Sequence, residues 1–270
     1  MTDKPSVALV GAGAMGGALF RSWVASGAID PGGSAIFDPG LPRDTEELAK
    51  AHGVRVNPDV SGGFDVLVAA VKPQAAADVL PAYASAATGA VAISVMAGTS
   101  IKTLSQIFAT EKKFVRAMPN LPAAIGEGVS GLYASDAVSP DERRIAERLL
   151  AAAGECVWVD KETDIDLVTA VSGSGPAYFF LLAEALAEAG AASGLSAEAA
   201  TRLAEATLAG AGKLMAVDGR RAAEIREAVT SPGGTTAAAL GVLDGNDKAI
   251  RKLMKGAVAA AAKRASELSD

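Results

Sequence analysis

Between residue 6 and about residue 160 the chain alternates short apolar runs with amphipathic stretches; beyond that point the short runs stop. Residues 7–10, 35–37, 54–56, 66–71, 91–95 and 114–117 are the apolar runs. Several are continuous Val, Ile, Leu and Ala, which predicts strands of a parallel sheet covered on both faces. Helical patterns lie between them. Asp44 and Glu47 have capping-box spacing ahead of Gly53, and Ser139-Pro140-Asp141 opens a helix that Gly154 closes. After Asp160, Ala, Leu, Glu and Lys recur at the helical period. That pattern predicts helices over 164–171, 176–192, 196–217, 222–229, 236–243 and 247–268. The fold class expected is α/β followed by an all-helical domain, with the boundary near residue 160.

A length of 270 residues suits two domains with separate cores. Hydrophobic residues at 50% and charged residues at 21% exclude a disordered or collagen-like chain. The aromatic share is only 4% against 29 glycines, which favours close helix packing over bulky cores. A net charge of −6 offers no general attraction to a polyanion, so no nucleic-acid partner is expected. Cys156 has no second cysteine to pair with and reads as a small hydrophobe beside Val157-Trp158-Val159. His52 alone makes no Cys/His metal site and reads as a surface residue. A reducing, cytoplasmic setting follows. Pro5 to Phe20 carries no charge, yet strand, glycine turn and helix explain it better than an export signal does. No unbroken run of 18 apolar residues occurs, so no membrane span is expected.

Gly11-Ala12-Gly13-Ala14-Met15-Gly16 follows the first apolar run and opens the first helix, the context that gives a G-x-G-x-x-G spacing its meaning. Gly11 permits the tight turn, Gly13 lets a pyrophosphate approach the backbone, and Gly16 lets helix and strand pack closely. Residues 1–160 are therefore expected to form a Rossmann-like dinucleotide-binding domain. Asp38, at the end of the second strand, suits the ribose 2′-hydroxyl of NADH, whereas Arg43 suits the 2′-phosphate of NADPH, so the cofactor is NADPH or NADH. Asp38 also reads as the start of a turn with Pro39-Gly40. Ala70-Val71-Lys72-Pro73 leaves a strand at the rim where ligands collect. A charge beside an apolar strand there needs a partner, unless Lys72 is simply solvated. Arg116-Ala117-Met118-Pro119-Asn120-Leu121-Pro122 leaves a later strand at the same rim, where Asn120 could wall the nicotinamide site or merely shape a turn.

In the helical half, Ser172-Gly173-Ser174-Gly175-Pro176 and Thr230 to Thr236 each break the pattern with hydroxyls and glycines. Such breaks can form anion nests, or helix turns capped by their own Ser and Thr. No G-x-S-x-G elbow and no histidine pair appears, which points to chemistry carried by the cofactor.

Together these segments resemble the pyrroline-5-carboxylate reductases, over nearly the whole chain and most specifically at Val229-Thr230-Ser231-Pro232-Gly233-Gly234-Thr235-Thr236. The resemblance implies reduction of 1-pyrroline-5-carboxylate to L-proline by NAD(P)H, the last step of proline biosynthesis. It implies substrate binding at Ser231, Gly233, Gly234, Thr235 and Thr236, with Thr236 and Lys72 in catalytic positions. Cofactor contacts would come from Gly11 to Gly16, Asp38, Ala70 to Pro73 and Asn120. Residues 161–270 would bind substrate and dimerise, giving at least a homodimer and possibly a ring of dimers. Leu121 stands where the family often has Thr, and Val217-Asp218-Gly219 replaces a more typical Glu-Ser-Gly or Glu-Thr-Gly. Two other functions would suit this sequence less well. A β-hydroxyacid dehydrogenase would need a lysine on the first long helix of the second domain, and residues 176–192 hold none. A dinucleotide-binding regulator without turnover leaves the turn at Ser231 to Thr236 unexplained.

Overall fold

The computed structural model describes residues 4–60, 62–109 and 113–269. Its strands are β1 Val7–Val10, β2 Ala35–Phe37, β3 Arg55–Val56, β4 Val66–Ala69, β5 Val91–Ser94, β6 Phe114–Met118, β7 Gly128–Ala134 and β8 Gly154–Trp158. They form one sheet in the order β3-β2-β1-β4-β5-β6-β7-β8. The crossover from β3 to β4 places the switch point between β1 and β4, where ligands of such sheets bind. The expected all-parallel sheet needs one correction, because β7 runs antiparallel to β6, with Val115 opposite Ala134 and Met118 opposite Gly131.

Helices α1 Ala14–Ser26, α2 Arg43–Ala51, α3 Ala76–Val79, α4 Ile101–Phe108 and α5 Pro140–Ala151 connect the strands. Two apolar layers result. Leu19, Phe20 and Trp23 of α1 pack with Leu149 and Leu150 of α5 on one face of the sheet. Leu80, Leu104 and Phe108 cover the other with Phe37 and Phe114. Each such buried side chain contributes about 1.5–3 kcal/mol. Ser139 caps α5 through Glu142 N, and the Glu142 side chain closes the capping box. The helix ends at Ala151 rather than running to Gly154, which adopts φ 141° at the start of β8. No capping box forms at Asp44 and Glu47. Pro42, with φ fixed at −59°, starts α2 two residues earlier, and the Asp44 carboxylate takes Thr45 N instead.

The remaining helices are α6 Asp164–Val168, α7 Gly175–Ala192, α8 Ala197–Asp218, α9 Ala222–Ala228, α10 Thr235–Asp244 and α11 Ala249–Ser269. Contacts divide the chain into one unit of Met1–Ser174 with Ala261–Asp270 and a second of Gly175–Ala260. Among the described residues of the second unit only Gly175, Ala200 and Ala204 are buried. Phe179, Phe180 and Leu181 of α7 are each more than half exposed. The expected break at 172–176 is reduced to a bend at Ser174, between a π-helical turn at Thr169–Gly173 and α7. Taken as one helical stretch of 29 residues, Asp164–Ala192 is long and apolar enough to cross a membrane by length and composition.

Candidate active site

The glycine turn after β1 is shaped by three different constraints. Gly11 has φ 89°, and a Cβ there would lie 2.7 Å from Ala70 O at the end of β4. A Cβ on Gly16 would lie 2.1 Å from Gly11 O, so this glycine seats α1 on the turn. At Gly13 a Cβ would meet nothing within 4 Å, and the residue is exposed. Gly13 is the N-cap of α1 and offers no side chain, which leaves the first-turn N–H groups of Ala14, Met15 and Gly16 without a cap. An open backbone edge at a helix N-terminus is the cradle a pyrophosphate needs, so these residues fit a dinucleotide.

Asp38 lies beside that cradle. Its Oδ2 accepts from Ala12 N at 2.7 Å and its Oδ1 from Gly40 N at 2.8 Å. The turn role read from the sequence is therefore present, and the same carboxylate is hydrogen-bonded to the fingerprint backbone at Ala12. Asn57, which the sequence did not bring forward, donates to Asp38 O at 2.9 Å and accepts from Asp38 N at 2.8 Å. Its only cue was an Asn-Pro pair after a strand.

Lys72 is exposed at the end of β4, with Pro73 starting a short 3-10 turn after it. That exposure accords with the solvated alternative for Lys72, and no buried charge stands beside the strand. Asn120 is buried and its side chain is turned into the fold: Oδ1 accepts from Val129 N at 2.9 Å and Nδ2 donates to Ser172 O at 3.2 Å. It ties β7 and the π-helical turn to the loop after β6. Arg116, 4% exposed, pairs with Glu162 at 3.0 Å, and the same Glu162 oxygen accepts from Ile101 N at 2.7 Å.

The two glycine-rich stretches of the helical half differ. At the first, Thr169 and Ser172 hydroxyls donate to Ile165 O and Val168 O, and Ser174 N donates to Thr169 O at 2.8 Å. Those groups are spent inside the helix, so no nest forms there. At the second, Gly233 has φ 72° and Gly234 N donates to Ser231 O at 3.0 Å, closing a tight turn onto α10. Gly234 is the N-cap, and no side chain caps α10. Ala238 N is the first to find an intrahelical partner, Gly234 O at 3.1 Å. The N–H groups of Thr235, Thr236 and Ala237 are therefore the orphans that every helix start leaves, and the threonine hydroxyls stand beside them. The arrangement suits a carboxylate.

Both halves of the chain match known proteins. Residues 162–268 match the family model described as pyrroline-5-carboxylate reductase dimerisation, and residues 6–98 match that of NADP oxidoreductase, coenzyme F420-dependent. A pyrroline-5-carboxylate reductase of Pseudomonas aeruginosa is 39% identical over 275 residues, covering 99% of this chain and 98% of that one. One from Glycine max is 34% identical over 270 residues, covering 99% of this chain and 97% of that one. Among solved structures, the Coxiella burnetii enzyme superposes with a TM-score of 0.90 at 33% identity, covering 99% of this chain and 100% of the other. The Plasmodium falciparum enzyme, solved with NADP bound, gives 0.79 at 26% identity with full coverage of both.

Proposed function

The chain belongs to the pyrroline-5-carboxylate reductase family and reduces 1-pyrroline-5-carboxylate to L-proline with NAD(P)H, and we propose that two helix N-termini do the binding. Gly11, Ala12, Gly13, Ala14, Met15 and Gly16 take the cofactor pyrophosphate, with Asp38 on the ribose and Ala70, Val71, Lys72 and Pro73 along the rim. Asn120 belongs to this set through the loop it braces. Ser231, Gly233, Gly234, Thr235 and Thr236 take the substrate carboxylate. The observation that carries this assignment is the uncapped start of α10, where Ser and Thr are abundant and none of them is used as the cap.

Bound NAD(P)H supplies the hydride. The ring imine of the substrate is readily protonated, so the chain needs no strong acid and acts by positioning. The orphan N–H groups of α10 fix the carboxylate, while the Thr236 hydroxyl donates toward the ring side of the substrate. The Lys72 ammonium favours the electron-rich groups at the rim. Residues 161–270 form the substrate and dimerisation domain and residues 1–160 the cofactor domain. The exposed apolar face of α7 is a subunit surface rather than a membrane span, in a cytoplasmic homodimer able to build rings of dimers, with neither nucleic acid nor membrane as partner. The test is oxidation of NADPH or NADH on addition of pyrroline-5-carboxylate. No turnover above background with either cofactor would sink the assignment.

A further inference from the structure

The carboxylate at the end of β2 is held so firmly that it has no retreat from an incoming anion. Both Asp38 oxygens accept backbone N–H groups, Ala12 N at 2.7 Å and Gly40 N at 2.8 Å. The Asn57 side chain grips both the N–H and the C=O of Asp38. Asn57 is itself fixed in the left-handed region at φ 45°, with its N–H on Ile36 O at 2.8 Å. A carboxylate so placed keeps lone pairs for a ribose hydroxyl but faces a phosphate at full charge.

The surroundings add to the effect. Between residues 38 and 47 stand the carboxylates Asp38, Asp44, Glu46 and Glu47 against a single cation, Arg43. Arg43 is 91% exposed, and its Nε is on Glu47 at 2.8 Å. Lys50 is paired with Glu46, and Arg55 donates to Gly33 O while covering the Phe64 ring. Arg21 lies 3.9 Å from Asp44. The start of α2 is no anion site either, since Asp44 occupies Thr45 N and both Asp44 and Glu46 already offset the helix dipole.

We infer that this chain prefers NADH to NADPH, with Asp38 as the discriminating group and Asn57 as its positioning residue. The inference rests on the cofactor assignment above. A 2′-phosphate carries about 1.5 to 2 negative charges, and beside a fixed carboxylate it should bind about tenfold or more weakly than a hydroxyl.

Calorimetric titration of the full chain with ADP-ribose and with 2′-phospho-ADP-ribose reads this discrimination without turnover. ADP-ribose should bind at least about tenfold more tightly at low ionic strength, and the gap should narrow in high salt because its origin is charge. Asp38→Asn keeps an oxygen for Ala12 N–H and removes the charge, so it should largely close the gap. Asn57→Ala, which removes the clamp on the Asp38 backbone, should narrow it. Equal affinities, tighter binding of the phosphorylated nucleotide, or a gap that neither salt nor Asp38→Asn moves would overturn the inference, and the unmutated comparison decides it if a variant fails to fold. Binding of neither nucleotide would overturn the cofactor site itself, and the preference with it, which is a different result from a reversed preference.

Discussion

Alanine at Gly13 and alanine at Gly16 should fail in different ways, although the two glycines share one turn. At position 16 the new Cβ would lie 2.1 Å from Gly11 O and 3.1 Å from Ala70 Cβ. Carbon and carbonyl oxygen settle no closer than about 3.3 Å, so the first turn of α1 must shift by about 1 Å. Both obstacles belong to packed backbone or to a short side chain, and neither can swing aside. Overpacking of this kind costs about 1–3 kcal/mol. At position 13 the Cβ enters open space, and the observed φ of −65° suits alanine. Replacing a glycine N-cap by alanine costs up to about 1 kcal/mol, and the stiffer unfolded chain returns about 0.4–1 kcal/mol. Stability should therefore stay within about 0.5 kcal/mol for Gly13→Ala. The methyl group occupies the edge that a phosphate must approach, and losing one N–H bond to a charged oxygen is worth about 1.5–3 kcal/mol, roughly ten- to a hundredfold in Kd. Urea denaturation together with ADP-ribose titration separates the two effects. Native affinity in Gly13→Ala, or native stability in Gly16→Ala, would refute the division between a ligand glycine and a packing glycine.

Other outcomes follow from single groups. Thr236→Ala should lower kcat/KM for pyrroline-5-carboxylate about ten- to a hundredfold while leaving ADP-ribose affinity in place; an unchanged kcat/KM would reduce the hydroxyl to a bystander. Leu186→Glu on α7, where the leucine is 53% exposed, should shift the sedimentation coefficient toward a smaller species, and an unshifted value would remove α7 from the subunit surface. Partial burial pushes the Glu142 carboxyl up, but the Lys113 ammonium at 2.6 Å and the Ser139 N–H and hydroxyl hold it below its usual 4.5 overall. Its contribution is then complete above pH 4.5 and lost as pH falls through the lowered value. Glu142→Gln should flatten that acid limb of the thermal stability curve, which a series of melts across acidic pH would show.

The parts legible in the sequence were those whose cause is local. Val7–Val10 and Val91–Ser94 are buried on both faces, and buried parallel strands need continuous apolar residues, so composition alone marks them. The glycine spacing is visible for a similar reason, because Gly11 and Gly16 answer backbone contacts within the same strand-turn-helix unit or at the adjacent end of β4, while Gly13 leaves the helix start open. β7 was not legible. Its sequence is broken by Ser130 and Gly131, and Gly131 is there because a Cβ would lie 2.4 Å from Val168 Cγ1 of α6, a neighbour 37 residues away by number. Such a glycine weakens the strand signal in order to satisfy packing that no local window contains.

The π-helical turn was hidden by a related mechanism. Thr169–Gly173 holds the glycine and hydroxyls that normally end a helix, yet each hydroxyl is folded back onto a carbonyl one turn earlier, and Asn120 takes Ser172 O from outside the helix. A helix therefore continues through a sequence that locally favours stopping, because tertiary contacts satisfy what the wider turn leaves open. At Ser231 to Thr236 the same residue types do the opposite. Gly233 takes a left-handed φ of 72°, the chain turns, and α10 starts with its N–H groups uncapped. Two Ser/Thr/Gly stretches that look equivalent on the page thus diverge according to where their polar groups find partners: in the first the partners are internal and the stretch is structural, while in the second no side chain caps the helix start, which is the feature the proposed substrate site rests on.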